Sequence, residues 1–176
     1  MVELSARHGL ECTRRVGPAW TGGSQSSFQR ENIAMKISAR NQFQGKVETV
    51  KAGAVNSEVD LVLPGGEKIV AVVTNESVKS LGLQAGKDAV ALVKASSVLV
   101  MTDSSGLRLS ARNCLAGTVK SLTLGPVNAE VTITLAGGVE VHATITHGAV
   151  TDLGLKEGGA ATAVFKAPSV ILGVPA

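Results

Sequence analysis

The sequence predicts an all-β fold of two tandem, five-stranded Greek-key barrels, each with one short helix. Three observations predict it. Residues 38–100 and 110–172 are one segment written twice at a constant offset of 72, with 27 of 63 paired positions identical and no gap. Each copy consists of short apolar runs of period 2 punctuated by Gly and Asn. The composition, 44% hydrophobic but only 2% aromatic with 20 Gly, gives a core of Val, Ala and Leu.

The elements follow in order. Gly45-Lys46-Val47-Glu48-Thr49-Val50 and Glu58-Val59-Asp60-Leu61-Val62-Leu63 alternate as half-buried strands do. Pro64-Gly65-Gly66, and Ala136-Gly137-Gly138 in the second copy, supply the positive-φ residues of a hairpin turn. The turns lead into Lys68–Val73 and Glu140–Ile145. A short helix follows over Asn75–Leu81, capped by Thr74 or Asn75 and ended by Gly82 in the left-handed conformation; Thr146, His147 and Gly154 repeat the plan. Ala89–Lys94 and Ala161–Lys166 read as nearly continuous apolar strands, and Val98–Val100 and Val170–Leu172 as the last strand of each copy. Five short strands and a helical turn in about 65 residues describe a small barrel of the OB type. Such a barrel buries little apolar surface, so repeats are expected to stack within and between chains.

Composition excludes several classes. No apolar run approaches the roughly 20 residues of a membrane span, so no membrane association is expected. The net charge of +3 divides into 4 Arg against 3 Glu in residues 1–34 and 13 basic against 11 acidic residues beyond them. That is too even for a nucleic-acid footprint. Cys12 and Cys114 lie in unrelated contexts, so reduced thiols and a cytoplasmic location are expected. Residues 1–34 mix Arg with a Gly/Ser-rich stretch and lack the apolar segment of a secretory signal. They read as a disordered leader or a start-site extension before Met35, with Trp20 a weak candidate anchor. The organisation expected is a leader at 1–34, a first domain at 35–104 and a second at 105–176.

Ser-Ala-Arg-Asn at the repeat start, Gly-Ala-Val-Asn-Ser-Glu-Val at 53–59, Thr-Asn-Glu-Ser-Val at 74–78, Leu-Gly-Leu at 81–83 and Lys-Ala-Ser-Ser-Val at 94–98 resemble the Mop domain of the molbindins, the molybdate-binding proteins. The likeness covers 35–174. It implies reversible binding of molybdate, with tungstate as competitor, for intracellular storage and homeostasis. It further implies a homotrimer with a pseudo-hexameric ring of domains and oxyanion sites between them.

A tetrahedral dianion needs positive charge and several N–H or O–H donors. Arg40 and Lys94 can supply charge, Ser38, Thr74 and Ser77 hydroxyls, and the amides of Ala39 and Asn41 neutral donors. The resemblance assigns similar roles to Ser38, Arg40, Thr74, Ser77 and Lys94. In the second copy it gives Ser110, Arg112, Thr146 and Lys166, and the amides of Ala111 and Asn113 repeat those of Ala39 and Asn41. Ser77 becomes Ala149, so the second set has one hydroxyl fewer. With no Asp or Glu among the donors, the set favours fully deprotonated dianions over phosphate, whose proton needs an acceptor.

Plainer roles compete. Arg40 and Arg112 suit surface ion pairs with Glu48 or Glu130, the commoner role for an isolated Arg, Lys94 suits blunting a strand edge, and Thr74 capping a helix; repetition of the set weakens these roles without removing them. His8, His142 and His147 form no metal-ligand pattern. Catalysis is not expected, because no nucleophile elbow, P-loop or paired carboxylates occur. An OB-type nucleic-acid binder would present aromatic residues along a basic groove, whereas Phe43 and Phe165 align with Leu115 and Val93 as core residues do. A molybdate-dependent sensor or adaptor acting through a protein partner is the remaining alternative. No helix-turn-helix or ATPase segment is legible to accompany it.

Overall fold

The computed structural model describes residues 37–103 and 108–175. The first repeat forms β1 (Asn41–Ala52), β2 (Asn56–Val62), β3 (Lys68–Thr74), α1 (Asn75–Ser80), β4 (Asp88–Val93), a 3-10 turn at Ala95–Ser97 and β5 (Leu99–Met101). The second forms β6 (Asn113–Leu124), β7 (Asn128–Leu135), β8 (Glu140–Thr146), α2 (His147–Asp152), β9 (Ala160–Phe165), a 3-10 turn at Ala167–Ser169 and β10 (Ile171–Gly173). The fold is all-β, as the repeat pattern predicts, in two curled antiparallel five-stranded sheets. The readings of residues 1–34, Cys12 and Trp20 among them, lie outside the described residues, as does the linker at 104–107.

β1 begins four residues earlier than the alternation at Gly45 suggests. Asn41, Phe43 and Val47 are buried while Gln42, Gln44 and Lys46 are exposed. Its first half, Asn41–Lys46, pairs with β4 and its second, Lys46–Ala52, with β2, with a register shift between Val47 and Thr49. β6 repeats the shift between Val119 and Ser121. An extra residue at these points bends a long strand so that it serves two ladders, which curls the sheet into a half-barrel.

The helix ends behave as read. Thr74 Oγ1 caps α1 by accepting from Ser77 N at 3.1 Å, and Thr146 Oγ1 caps α2 by accepting from Ala149 N at 3.2 Å. Gly82, at φ 57°, lets Leu83 N reach Val78 O at 2.9 Å and its own N–H reach Lys79 O at 3.1 Å, closing the helix with its carbonyls satisfied. The hairpin glycines divide their labour in a way the pattern does not show. Only Gly66 and Gly138 have positive φ. Gly65 and Gly137 are instead required by contact: a Cβ on Gly137 would lie 2.5 Å from the Cα of Gly65, because the two turns meet back to back.

The fifth strand forms in each copy, at Leu99–Met101 and Ile171–Gly173, but joins the sheet of the other copy rather than its own. The sheet orders are β10-β4-β1-β2-β3 and β5-β9-β6-β7-β8, so each repeat gives its last strand to the other. Ile171 pairs with Leu92 and Leu99 with Val164. Because the copies are alike, β5 and β10 meet nearly the same neighbours in either sheet, and local pattern cannot choose between them. The 3-10 turns direct the choice, burying Ala95, Val98, Ala167 and Val170 as the chain crosses. One continuous apolar core therefore includes Phe43, Leu61 and Ile69 of the first repeat with Ile133, Val141 and Phe165 of the second.

Candidate functional site

The duplicated Ser-Ala-Arg-Asn segments enter β1 and β6 at the boundary between repeats. Asn41 and Asn113, each 1% exposed, are the deepest polar side chains there. Asn41 Nδ2 donates to Val93 O at 3.1 Å and to His142 O at 2.8 Å, and its Oδ1 accepts from His142 N at 2.7 Å. Asn113 mirrors this at position 70, with Nδ2 donating to Val70 O at 2.9 Å and Oδ1 accepting from Val70 N at 2.8 Å. Val70 and His142 lie on β3 and β8, which are sheet edges. Each carboxamide thus pairs with an edge peptide as a neighbouring strand would. These side chains hold the two repeats together.

The residues just before them carry the charge. Asn41 is paired with Val93 and Asn113 with Phe165 at the ends of the ladders, so Arg40 and Lys94, and likewise Arg112 and Lys166, are the chain neighbours that flank these last pairs. Ser38, Arg40, Lys94, Ser110, Arg112 and Lys166 are exposed, and Ala39 and Ala111 half-buried. Two cationic sheet ends result, one per repeat. Thr74, exposed, and Ser77, half-buried, sit apart from Arg40, two strands away on the far edge of the same sheet.

The structure associates each arginine with the other repeat. Arg112 Nη2 lies 3.5 Å from Glu58 Oε2, and Glu58 is paired with Val72, two residues before Thr74 on β3. Arg40 Nη1 lies 2.5 Å from Glu130 Oε2, and Glu130 is paired with Thr144, two residues before Thr146. Within one chain, then, Arg112 is brought to the strands ending in Thr74 and Ser77, and Arg40 to those ending in Thr146 and Ala149. Grouping by copy, natural from the sequence, does not describe this arrangement. Thr74 and Ser77, their hydroxyls 2.8 Å apart, border a groove of about 380 Å³ whose opposite wall is Pro168, Val170 and Ile171 of the second repeat.

Glu130 is the ion-pair partner weighed for Arg40, whereas Glu48 pairs with Lys68. The hydrogen bond from Arg40, and then its charge, hold the Glu130 carboxyl below its ordinary range, and Glu130 in turn raises Arg40. Glu58 also accepts from Lys51 Nζ at 2.9 Å. Neither glutamate entered the donor set read from the sequence, although both are identical across the repeats. His142 is half-buried with Nδ1 3.1 Å from Thr132 Oγ1, and Cys114 is half-buried. Among the described residues no group of three or more His, Cys, Asp or Glu could hold a metal ion, and no helix is long and apolar enough to cross a membrane.

A model of the TOBE domain matches residues 37–100 and 109–172. The molybdenum transport protein ModE of Azotobacter vinelandii is 46% identical over 156 residues, 88% of this chain and 57% of that protein. The molybdenum-pterin-binding protein MopA of Rhodobacter capsulatus is 42% identical over 144 residues, 82% of this chain and 54% of that one. The chain spans about half the length of these curated relatives. A structure of the cytoplasmic molybdate-binding protein ModG with molybdate bound is 62% identical, with a TM-score of 0.78 over 80% of this chain and 100% of that one.

Proposed function

Because the chain belongs to the TOBE-domain family and carries two copies of that domain, we propose that it binds molybdate reversibly, with tungstate as competitor, and stores the anion in the cytoplasm without catalysis. The observation that carries this reading is the pair of cationic sheet ends, Arg40 and Lys94 flanking the Asn41–Val93 pair and Arg112 and Lys166 flanking the Asn113–Phe165 pair, in a chain 62% identical to a molybdate-binding protein. Guanidinium and ammonium groups neutralise a dianion, and hydroxyls of Ser38, Ser110, Thr74, Ser77 and Thr146 add neutral donors. The exposure of these groups supports completion of the sites by further copies of the chain, a homotrimer in this reading, so that binding and assembly are linked and ligand raises thermal stability. A sensor or adaptor role is the second reading, favoured by the chain's matching about half of ModE.

The test is isothermal titration of anion-stripped protein with molybdate, sulfate and phosphate at equal ionic strength, with mass measured by light scattering. Saturable molybdate binding on a trimer, with weak or absent response to phosphate, is expected. A folded protein that gives no heat with any of the three refutes the proposal.

A further inference from the structure

Glu58 and Glu130 each grip one of the candidate arginines across the repeat boundary. We propose that these carboxylates are resident counter-ions of the oxyanion sites: each occupies an arginine while the site is empty and releases it when the anion binds. Glu58 and Glu130 then set the affinity of two classes of site and make them unequal. The inference rests on the reading of Arg40 and Arg112 as anion ligands.

A guanidinium held by a carboxylate has fewer of its N–H donors free, and a carboxylate left beside a bound dianion repels it. Binding therefore exchanges one partner for the other. The exchange is most feasible at Arg40, where the side chains of Arg40 and Glu130 are 50% and 49% exposed and the displaced Glu130 can turn into water; Glu58 is 20% exposed and has Lys51 to retain it when Arg112 leaves. It also imposes a charge threshold. A doubly charged oxyanion outcompetes the carboxylate, whereas an abundant monoanion such as chloride is held off.

The two grips differ. Arg40 is 2.5 Å from Glu130, whereas Arg112 is 3.5 Å from Glu58, which Lys51 shares at 2.9 Å. Glu58 is already partly neutralised and leaves Arg112 the freer of the two. The hydroxyls point the same way, since the strands under Arg112 lead to Thr74 and Ser77 and those under Arg40 to Thr146 and Ala149. The site built on Arg112 is the stronger, and the one built on Arg40 the weaker.

Titration calorimetry of the full chain with sodium molybdate tests this in wild type, Glu130→Gln, Glu58→Gln, Arg40→Ala and the double variant Arg40→Ala/Glu130→Gln, with melting temperatures as the folding check. Glu130→Gln should tighten the weaker class of sites by about two- to fivefold, the scale of an exposed ion pair. Glu58→Gln should tighten binding less, and the double variant should gain less over Arg40→Ala than Glu130→Gln gains over wild type, since only the repulsion is then relieved. If Arg40→Ala weakens binding while Glu130→Gln leaves it unchanged or weakens it too, Glu130 orients the arginine rather than competing for it, and the inference is overturned. If Arg40→Ala binds as wild type does, the ligand reading of Arg40 fails, and the inference fails with it.

Discussion

Replacing Asn41 with alanine probes the joint between the repeats. The side chain is 1% exposed and makes three described hydrogen bonds: to Val93 O at 3.1 Å, to His142 O at 2.8 Å, and from His142 N at 2.7 Å. Alanine removes all three and strands the N–H and C=O of His142 on the edge of its sheet. At about 1 kcal/mol for each neutral hydrogen bond the loss is about 3 kcal/mol, and stranded buried groups push it higher. Asn113→Ala removes the two bonds to Val70, at 2.8 and 2.9 Å, and should cost about 2 kcal/mol. Urea unfolding of the full chain followed by circular dichroism measures both. With a slope of about 1–3 kcal/mol/M, the Asn41→Ala midpoint should fall by about 1–3 M. The exposed neighbour Gln42, whose Nε2 donates to Ala39 O at 3.2 Å, serves as control and should change stability by less than about 0.5 kcal/mol on conversion to alanine. Losses below about 0.5 kcal/mol for both asparagine variants at unchanged slope would refute the assignment of the joint to these two side chains.

Three further outcomes are expected. Gly137→Ala places a Cβ 2.5 Å from Gly65 Cα and 2.6 Å from both Glu67 carboxylate oxygens, and should destabilise by about 1–3 kcal/mol. Gly148→Ala in α2 meets nothing within 4 Å and should stabilise by up to about 1 kcal/mol; thermal melts of the pair decide. Glu130 and Glu140 have carboxyls lowered from the ordinary 4.5, first by hydrogen bonds from Arg40 and Lys120, so their contribution is present above that value and lost as pH falls through the lowered one. Glu130→Gln and Glu140→Gln should therefore flatten the acid limb of the melting-temperature profile; a slope equal to wild type would contradict the pairing. Arg40→Ala and Lys94→Ala should each weaken molybdate binding about tenfold or more, the scale of a charge-assisted hydrogen bond, and unchanged affinity and stoichiometry in both would remove them from the site.

The amino-acid sequence by itself determined what is local or periodic. The strand over Asn56–Val62, the cap at Thr74 and the left-handed Gly82 depend on neighbours a few residues apart, and all stand in the structure, although Asp60 is buried where strict alternation would expose it. The cationic composition of the candidate site was legible for the same reason, since Arg40 and Lys94 recur as Arg112 and Lys166 in identical surroundings. Only the tertiary structure decided which repeat each piece serves. Two like copies present the same partners to β5, to β10 and to each arginine, so pairing within a repeat and pairing across repeats look the same to any reading of local pattern. The crossing turns at Ala95–Ser97 and Ala167–Ser169 and the buried Asn41 and Asn113 break that tie by tying each repeat to the edge of the other. The same ambiguity hid Glu58, which is remote in sequence from the Arg112 it holds. It hid as well the contact of Gly65 with Gly137, residues 72 positions apart that the fold brings together.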